Sequence, residues 1–234
     1  MRELIIELTN RCIRDCIHCS SSANEGVGQL LNPGIIKEKL KLYRPEYVSI
    51  SGGEPTLHPN LRDIIHLIIK NNAQIKLYTT LYYKYHQYID EICISCYGDN
   101  NMNLIITKTD YDPFTLIKHY RMDGIIPTIH IVPMNINIDH IDKLIRDCLI
   151  IGIKKIKILK LVNQGRCTSD LIPDNSKLIT LYNEYKDTPE VLFGLPFMHE
   201  CVAGIDKIVL IPNGKVIPCE TYKDGICKCE KLIM

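Results

Sequence analysis

The chain contains no apolar stretch approaching the ~18 residues needed to cross a bilayer. Its opening, Met1-Arg2-Glu3-Leu4-Ile5-Ile6-Glu7, flanks a short apolar run with acids, which is not the pattern of a secretory signal. Net charge is nearly absent: 28 Lys and Arg against 27 Asp and Glu leave +1. A balance that even gives no general attraction for nucleic acid or an anionic membrane, so neither is expected as a partner, although a local basic patch stays open. Charge runs, low-complexity segments and internal repeats are missing too, which sets aside repeat architectures and disordered tails. What the chain has in quantity is cysteine, eleven of 234 residues. Without an export signal these read as reduced thiols serving metal or catalysis, and the odd count agrees. The expected compartment is the cytoplasm. A hydrophobic content of 46% with 24% charged residues is that of an ordinary globular protein, long enough for one domain and a small appendage.

Short apolar runs alternate with segments of helical period, the pattern of an α/β fold with parallel strands. Strands are expected over residues 2–9, 47–51, 73–79, 91–97, 126–133 and 154–162. Helices are expected over 32–43, opened by Asn32-Pro33, and over 60–71, 112–122, 137–151 and 175–186. A further helix is expected over 81–89, where Tyr82, Tyr83, Tyr85 and Tyr88 would form a covering face. Along the fourth strand, alternation sends Ile92, Ile94 and Cys96 to one side and Cys93 and Ser95 to the other. Six strand–helix units of ~30 residues are too few for a closed eight-unit barrel and enough for an open one. The expected fold is therefore α/β, a partial (β/α)6 TIM-like barrel of parallel strands over 1–193, followed by a small C-terminal β-hairpin domain over 194–234. In such folds ligands sit at the C-terminal ends of the strands. The chemically suggestive residues gather there: Cys12 to Cys19, Gly52 to Glu54, Thr79-Thr80, Ser95 and Gly165-Arg166.

The segment Thr9-Asn10-Arg11-Cys12-Ile13-Arg14-Asp15-Cys16-Ile17-His18-Cys19-Ser20 carries a C-x3-C-x2-C array. Three thiolates so close together can surround one soft metal centre, one fewer than a closed zinc or iron–sulfur site uses. A cluster held by three cysteines leaves one iron open for chemistry. Part of a zinc site is the alternative. In Gly52-Gly53-Glu54 two glycines allow close backbone approach to a ligand, and the acid can pair with an ammonium group. A turn needing positive φ explains the triplet alone about as well.

Loop and triplet together resemble the signature of the radical S-adenosylmethionine (SAM) superfamily, including His18 just before the third cysteine. The resemblance implies a [4Fe–4S] cluster on Cys12, Cys16 and Cys19, its open iron chelated by the amino and carboxylate groups of SAM. It also implies that Gly52, Gly53 and Glu54 lie against the methionyl amino group. Ile94-Ser95-Cys96-Tyr97-Gly98 is similar to the family's fourth-strand segment, which puts Ser95 near the ribose. The fifth strand into Asn135 resembles another segment of the SAM pocket, and Leu161 through Arg166 resembles the family's sixth-strand ending. Ordinary barrel packing competes with those three matches. His130 is a candidate substrate contact in the lumen or a hydrogen-bonded structural residue. Cys148 reads as helix core, and Cys93, Cys96 and Cys167 as thiols nearer the barrel mouth.

From about residue 194 the alternation stops. Cys201 is followed by an apolar run over 207–211, Pro212-Asn213-Gly214, a second short run and Cys219, a hairpin pattern that returns Cys219 towards Cys201. Cys227 and Cys229 follow, and four cysteines suit one fully ligated cluster. A four-thiolate zinc knuckle is the alternative. The spacing from Cys201 through Gly214 to Cys219 resembles the first half of a SPASM domain, and the chain's end at Met234 suggests its shortened, single-cluster twitch form. The C-x-C pair departs from that pattern and leaves open which of the two binds the cluster.

The resemblance implies a radical SAM enzyme, oxidoreductase-like or peptide-modifying. It would draw an electron from a flavodoxin or ferredoxin, cleave SAM to a 5′-deoxyadenosyl radical and take a hydrogen atom from substrate. An auxiliary iron–sulfur cluster would then accept an electron from the substrate radical. Oxidative modification of a peptide or protein ranks first and a small-molecule substrate such as a sugar or nucleotide second. With the first strand at the chain's start, an N-terminal peptide-recognition domain is not expected. A non-catalytic iron–sulfur or zinc redox sensor is the alternative of another class.

Overall fold

The structure is a computed structural model describing residues 2–26, 28–194, 203–220, 222–223 and 226–227, with 223, 226 and 227 as backbone alone. Seven strands succeed one another in parallel across one sheet: β1 (Glu3–Glu7), β2 (Tyr47–Ser51), β3 (Gln74–Thr79), β4 (Glu91–Ser95), β5 (Thr128–Ile131), β6 (Ile156–Ile158) and β7 (Val191–Phe193). On the other side of β1 the sheet continues with β8 (Lys207–Leu210), again parallel, and with β9 (Val216–Ile217), antiparallel to β8. A separate ribbon pairs β10 (Tyr222–Lys223) with β11 (Ile226–Cys227). The helices are α1 (Pro33–Tyr43), α2 (Leu61–Ile69), α3 (Asn100–Thr107), α4 (Pro113–Met122), α5 (Ile141–Ile150) and α6 (Asn175–Tyr185). The nine-stranded sheet does not close on itself, so the fold is an α/β partial TIM-like barrel. Among the described residues no helix is long and apolar enough to cross a membrane.

Strand alternation explains the two faces. Leu4, Ile6, Val48, Ile50, Ile75, Leu77, Ile92, Ile94, Ile129, Ile131, Ile156 and Ile158 form one core with Ile36, Leu40, Ile64, Ile68, Tyr120 and Ile145 of the helices. Cys96 and Cys148 belong to that core as well. The opposite, inner face is polar. Ser49 Oγ donates to Glu3 at 2.5 Å, Thr128 Oγ1 donates to Glu91 at 2.7 Å, and Lys155 pairs with Glu91 at 2.7 Å. A filled barrel carries layers of Val, Ile and Leu in that place.

His130 lies on that face. It is 4% exposed, its ring centroid is 5.0 Å from that of Tyr78, and its Nε2 has no hydrogen-bond partner among the described residues. Burial, with Lys157 next in effect, pushes its pKa down to about 3. An unfolded chain protonates this ring near pH ~6.5, so between pH ~6.5 and ~3 the unfolded state binds the extra proton and stability falls as pH falls. By pH 5 the loss amounts to ~2 kcal/mol from this one ring. His130→Asn should therefore shrink the stability difference between pH 7 and pH 5 by about that amount, as read from urea unfolding at the two pH values.

Three elements differ from the sequence expectation. Residues 81–89 form no α-helix but a loop with one 3-10 turn at His86–Tyr88. Aromatic side chains favour helix weakly, and Tyr120 Oη engages this backbone instead, accepting from Tyr83 N at 2.9 Å and donating to Leu81 O at 3.2 Å. Helix α3 was not expected. Its run of asparagines has low helical propensity, and it is held by Asp99, which accepts from Met102 N at 2.9 Å, and by Lys108 in the left-handed region at its end. Strand β7 has three residues, too few to show a period, and it forms because β6 offers it an edge. The hairpin expected in the tail is present as β8 and β9, and β8 is hydrogen-bonded to β1 of the barrel sheet.

Candidate functional site

The cysteine loop leaves the C-terminal end of β1 and is pinned from three directions. Gly53 N and Glu54 N donate to Thr9 O and Arg11 O at 2.6 and 2.8 Å. Asp15 N and Ile17 N donate to Thr107 O and Ile106 O, at 3.1 and 2.9 Å. Those carbonyls belong to the last turn of α3, where the helix leaves acceptors open, so the helix missed in the sequence is the platform on which the loop rests. Arg166 completes the clamp: its N and Nε donate to Cys19 O and Cys16 O at 3.0 and 2.8 Å, and its Nη1 pairs with Asp15 at 3.2 Å.

Cys12 is buried, while Cys16 and Cys19 are half-buried. Burial raises the pKa of Cys16 to about 12, with Cys19 and Cys12 adding to it, and burial likewise raises that of Cys12. The three thiols thus share one electrostatic neighbourhood. Among the described residues no three His, Cys, Asp or Glu side chains stand close enough to hold a single ion. A four-iron cube, by contrast, spreads its thiolates around its own bulk. His18 packs edge-on to Tyr97, ring centroids 4.9 Å apart, and burial, followed by Arg166, lowers its pKa to about 4. His18 Nδ1, Arg166 Nη2 and Gln164 Oε1 are buried with no hydrogen-bond partner among the described residues. Buried polar atoms are costly unless paired. Two of these, on His18 within the loop and on Arg166 clamped to it, fit a bound polar group at a thiolate-held cluster.

The Gly52-Gly53-Glu54 turn acts on the loop through the backbone. A Cβ at Gly53 would lie 2.2 Å from Arg11 O, so glycine is what lets the turn press against the loop. Glu54 is 1% exposed, and its carboxylate is occupied. Oε1 accepts from Thr56 N, Thr56 Oγ1 and Thr79 Oγ1 at 3.2, 2.7 and 2.6 Å, and Oε2 accepts from Thr80 N and Thr80 Oγ1 at 2.9 Å each. In Glu54→Gln an amide donor would face either the Thr80 N–H or the Thr56 N–H, and neither can turn away. That substitution should cost ~3 kcal/mol, the scale of a lost charged hydrogen bond plus an unpaired buried group, as read from urea unfolding of the metal-free protein.

The remaining expected residues are more dispersed. Ser95 is half-buried on β4, opposite His130 in register, and its carbonyl accepts from Tyr111 Oη at 2.7 Å. Asn135 is exposed and donates its N–H to Leu171 O at 2.9 Å. Two residues on, Asn137 is 0% exposed and joins the ends of β4 and β5: it accepts from Met134 N and donates to Tyr97 O and Val132 O. Its cap position in the sequence hid that bridging role. Arg14, unremarked in the sequence, is also buried in the loop.

In the tail, Cys219 is buried, and Cys227 lies in β11 with its side chain outside the description. Cys201 and Cys229 lie outside the described residues. The residue after Cys219 reaches the barrel: Glu220 pairs with Lys207 at 3.2 Å, and its carbonyl accepts from the Gln164 side chain. Burial, with Glu220 second, raises Glu7 at the end of β1 to a pKa of about 7. One loop after β6 thus touches both cysteine regions, through Gln164 on the tail side and Arg166 on the other.

Residues 6–153 match the family model of the Radical SAM superfamily. No curated protein sequence matches the chain. Among solved structures, Streptococcus suis SuiB bound to S-adenosylmethionine superposes with a TM-score of 0.74 at 17% identity, covering 93% of this chain and 60% of SuiB. SuiB has also been solved with its precursor peptide SuiA. The protein anSMEcpe with bound AdoMet gives a TM-score of 0.69 at 14% identity, over 95% of this chain and 76% of that one. It too has been solved with a peptide, Cp18Cys. At these identities the likeness shows the fold, and this chain spans about 60% of the length of SuiB.

Proposed function

The chain belongs to the radical SAM superfamily, and from that premise we propose that it cleaves S-adenosylmethionine reductively and uses the resulting 5′-deoxyadenosyl radical to take a hydrogen atom from a peptide or protein. The observation that carries the reading is the set of three thiols in one clamped loop, with unpartnered buried atoms on His18 within the loop and on Arg166 clamped to it. A [4Fe–4S] cluster on Cys12, Cys16 and Cys19 would supply the electron that breaks the carbon–sulfur bond of SAM. The chain's own contribution is to hold and orient. Arg166 and the end of α3 fix the loop, the Gly53 turn seats it against β1, and the polar inner face offers Tyr78 and His130 towards a substrate.

The peptides bound by SuiB and by anSMEcpe support the substrate class. For the tail, an auxiliary cluster drawing on Cys201, Cys219, Cys227 and Cys229 is our reading, with an electron-accepting role. The contacts of Glu220 with Lys207 and Gln164 support a tail seated near the barrel mouth. A flavodoxin or ferredoxin is the expected electron donor. Anaerobic reconstitution with iron and sulfide, then addition of dithionite and SAM, should yield 5′-deoxyadenosine and methionine in equal amounts. A loaded protein that produces none is a binding or sensing protein, and the enzyme reading fails.

A further inference from the structure

We propose that Arg14 is a positioning residue that ties the cysteine loop to Glu54 and sets, through its buried positive charge, the reduction potential of the cluster held by that loop. The inference rests on the proposed function, because it needs a cluster on Cys12, Cys16 and Cys19.

Arg14 lies between the first two cysteines and is 6% exposed. Its guanidinium is spread over three hydrogen bonds: Nε to Thr80 Oγ1 at 2.9 Å, Nη2 to Thr80 O at 3.1 Å and Nη1 to Thr109 Oγ1 at 2.8 Å. Its Cζ stands 4.2 Å from the ring centroid of Tyr111, whose hydroxyl is bound to Ser95 O. Thr80 is the same residue whose N–H and hydroxyl donate to Glu54 Oε2. A continuous path therefore runs from Glu54 through Thr80 and Arg14 into the loop, where Arg14 N reaches Cys12 Sγ at 3.4 Å.

The chemistry of the partners gives Arg14 its second role. A guanidinium stays charged at any relevant pH, and its three side-chain partners here are neutral hydroxyl and carbonyl groups. A buried charge is costly unless an opposite charge lies near, and the Glu54 carboxylate is reached here only through Thr80. An oxidised [4Fe–4S] core with three thiolates carries one net negative charge, and one-electron reduction makes it two. A fixed cation beside it stabilises the reduced form more than the oxidised form. The three bonds also tether the loop to Thr80 and Thr109, which a lysine would do less well.

The test is a potentiometric titration of the anaerobically reconstituted full chain. Dithionite donates the single electron, and the signal followed is the electron paramagnetic resonance of the reduced cluster that changes when SAM is added. Arg14→Lys keeps the charge and should titrate at the wild-type potential. Arg14→Gln loses the charge and should titrate at a more negative one. Both should lose iron to a chelator faster than wild type, because the fork to Thr80 and Thr109 is broken. An Arg14→Gln protein that titrates with wild type overturns the inference. If that variant takes up no cluster, Arg14→Lys decides: an unshifted potential with faster iron loss supports the proposal, and a negative shift overturns it. A wild-type chain without any such signal overturns the proposed function and this inference together, whereas a loaded wild type with unshifted variants overturns the inference alone.

Discussion

Cys12→Ala should bring 5′-deoxyadenosine formation down to the level of cluster-free protein while leaving the iron of the proposed tail cluster in place. Cys12 is 8% exposed, and its N–H is fixed to Asn24 O at 2.7 Å, so the backbone there cannot swing another ligand into position. Among the described residues Cys96 is 0% exposed within the core and Cys93 is 1% exposed on β4, so neither is a ready replacement ligand. With two thiolates left, the loop offers half of the usual four-cysteine set, and cluster affinity collapses because each ligand contributes to one cooperative site. Cys219→Ala is the reciprocal experiment: cleavage should persist while total iron falls. Iron and sulfide analysis beside a product assay reads both variants. Residual cleavage in Cys12→Ala, or loss of iron from both regions in Cys219→Ala, would count against two independent centres.

Gly165→Ala should be a damaging single-atom enlargement beside the site. Gly165 has φ +67°, and a Cβ there would stand 2.3 Å from Cys19 O and 2.4 Å from Ser20 O. The left-handed conformation costs an alanine ~1 kcal/mol, and forcing apart packed backbone adds ~2 kcal/mol more. The strain falls on the stretch that carries Cys19 and on the neighbouring hydrogen bond from Arg166 N to Cys19 O. Gly124→Ala supplies the control, since Gly124 has φ +79° and nothing within 4 Å of its built Cβ. The control should lose ~1 kcal/mol and keep its iron. The variant at 165 should lose ~3 kcal/mol and release iron faster to a chelator. Equal behaviour of the two variants would mean that the β6 loop does not press on the cysteine loop.

Much of the fold was legible because parallel strands buried against helices leave an apolar record. Residues such as Leu4, Ile6, Val48, Ile50, Ile92 and Ile94 announce both a strand and the face it buries. The failures came where long-range contacts override local preference. Residues 81–89 look helical by composition, yet Tyr120 from α4 takes their backbone groups. Residues 100–107 open on asparagines that disfavour helix, yet Asp99 and the cysteine loop cap both ends and hold a helix. Side-chain direction was equally hidden: Glu54 reads as a free carboxylate, and three threonines from two segments surround it.

The sequence by itself determined the class of chemistry. Ligand identity and close spacing are local properties, so the thiols of Cys12, Cys16 and Cys19 and the glycines at 52–53 could be recognised from the string alone. It also determined the succession of strands and helices, because periodicity is written residue by residue. The tertiary structure decided how that chemistry is held. It brought the end of α3, Arg166 and the turn before Glu54 onto one loop, and it set Thr80 between Glu54 and Arg14. It also laid β8 of the tail beside β1. Those contacts join residues dozens to more than a hundred positions apart. No local pattern encodes which distant carbonyl a buried N–H will find; folding decides it when the last polar atoms leave water.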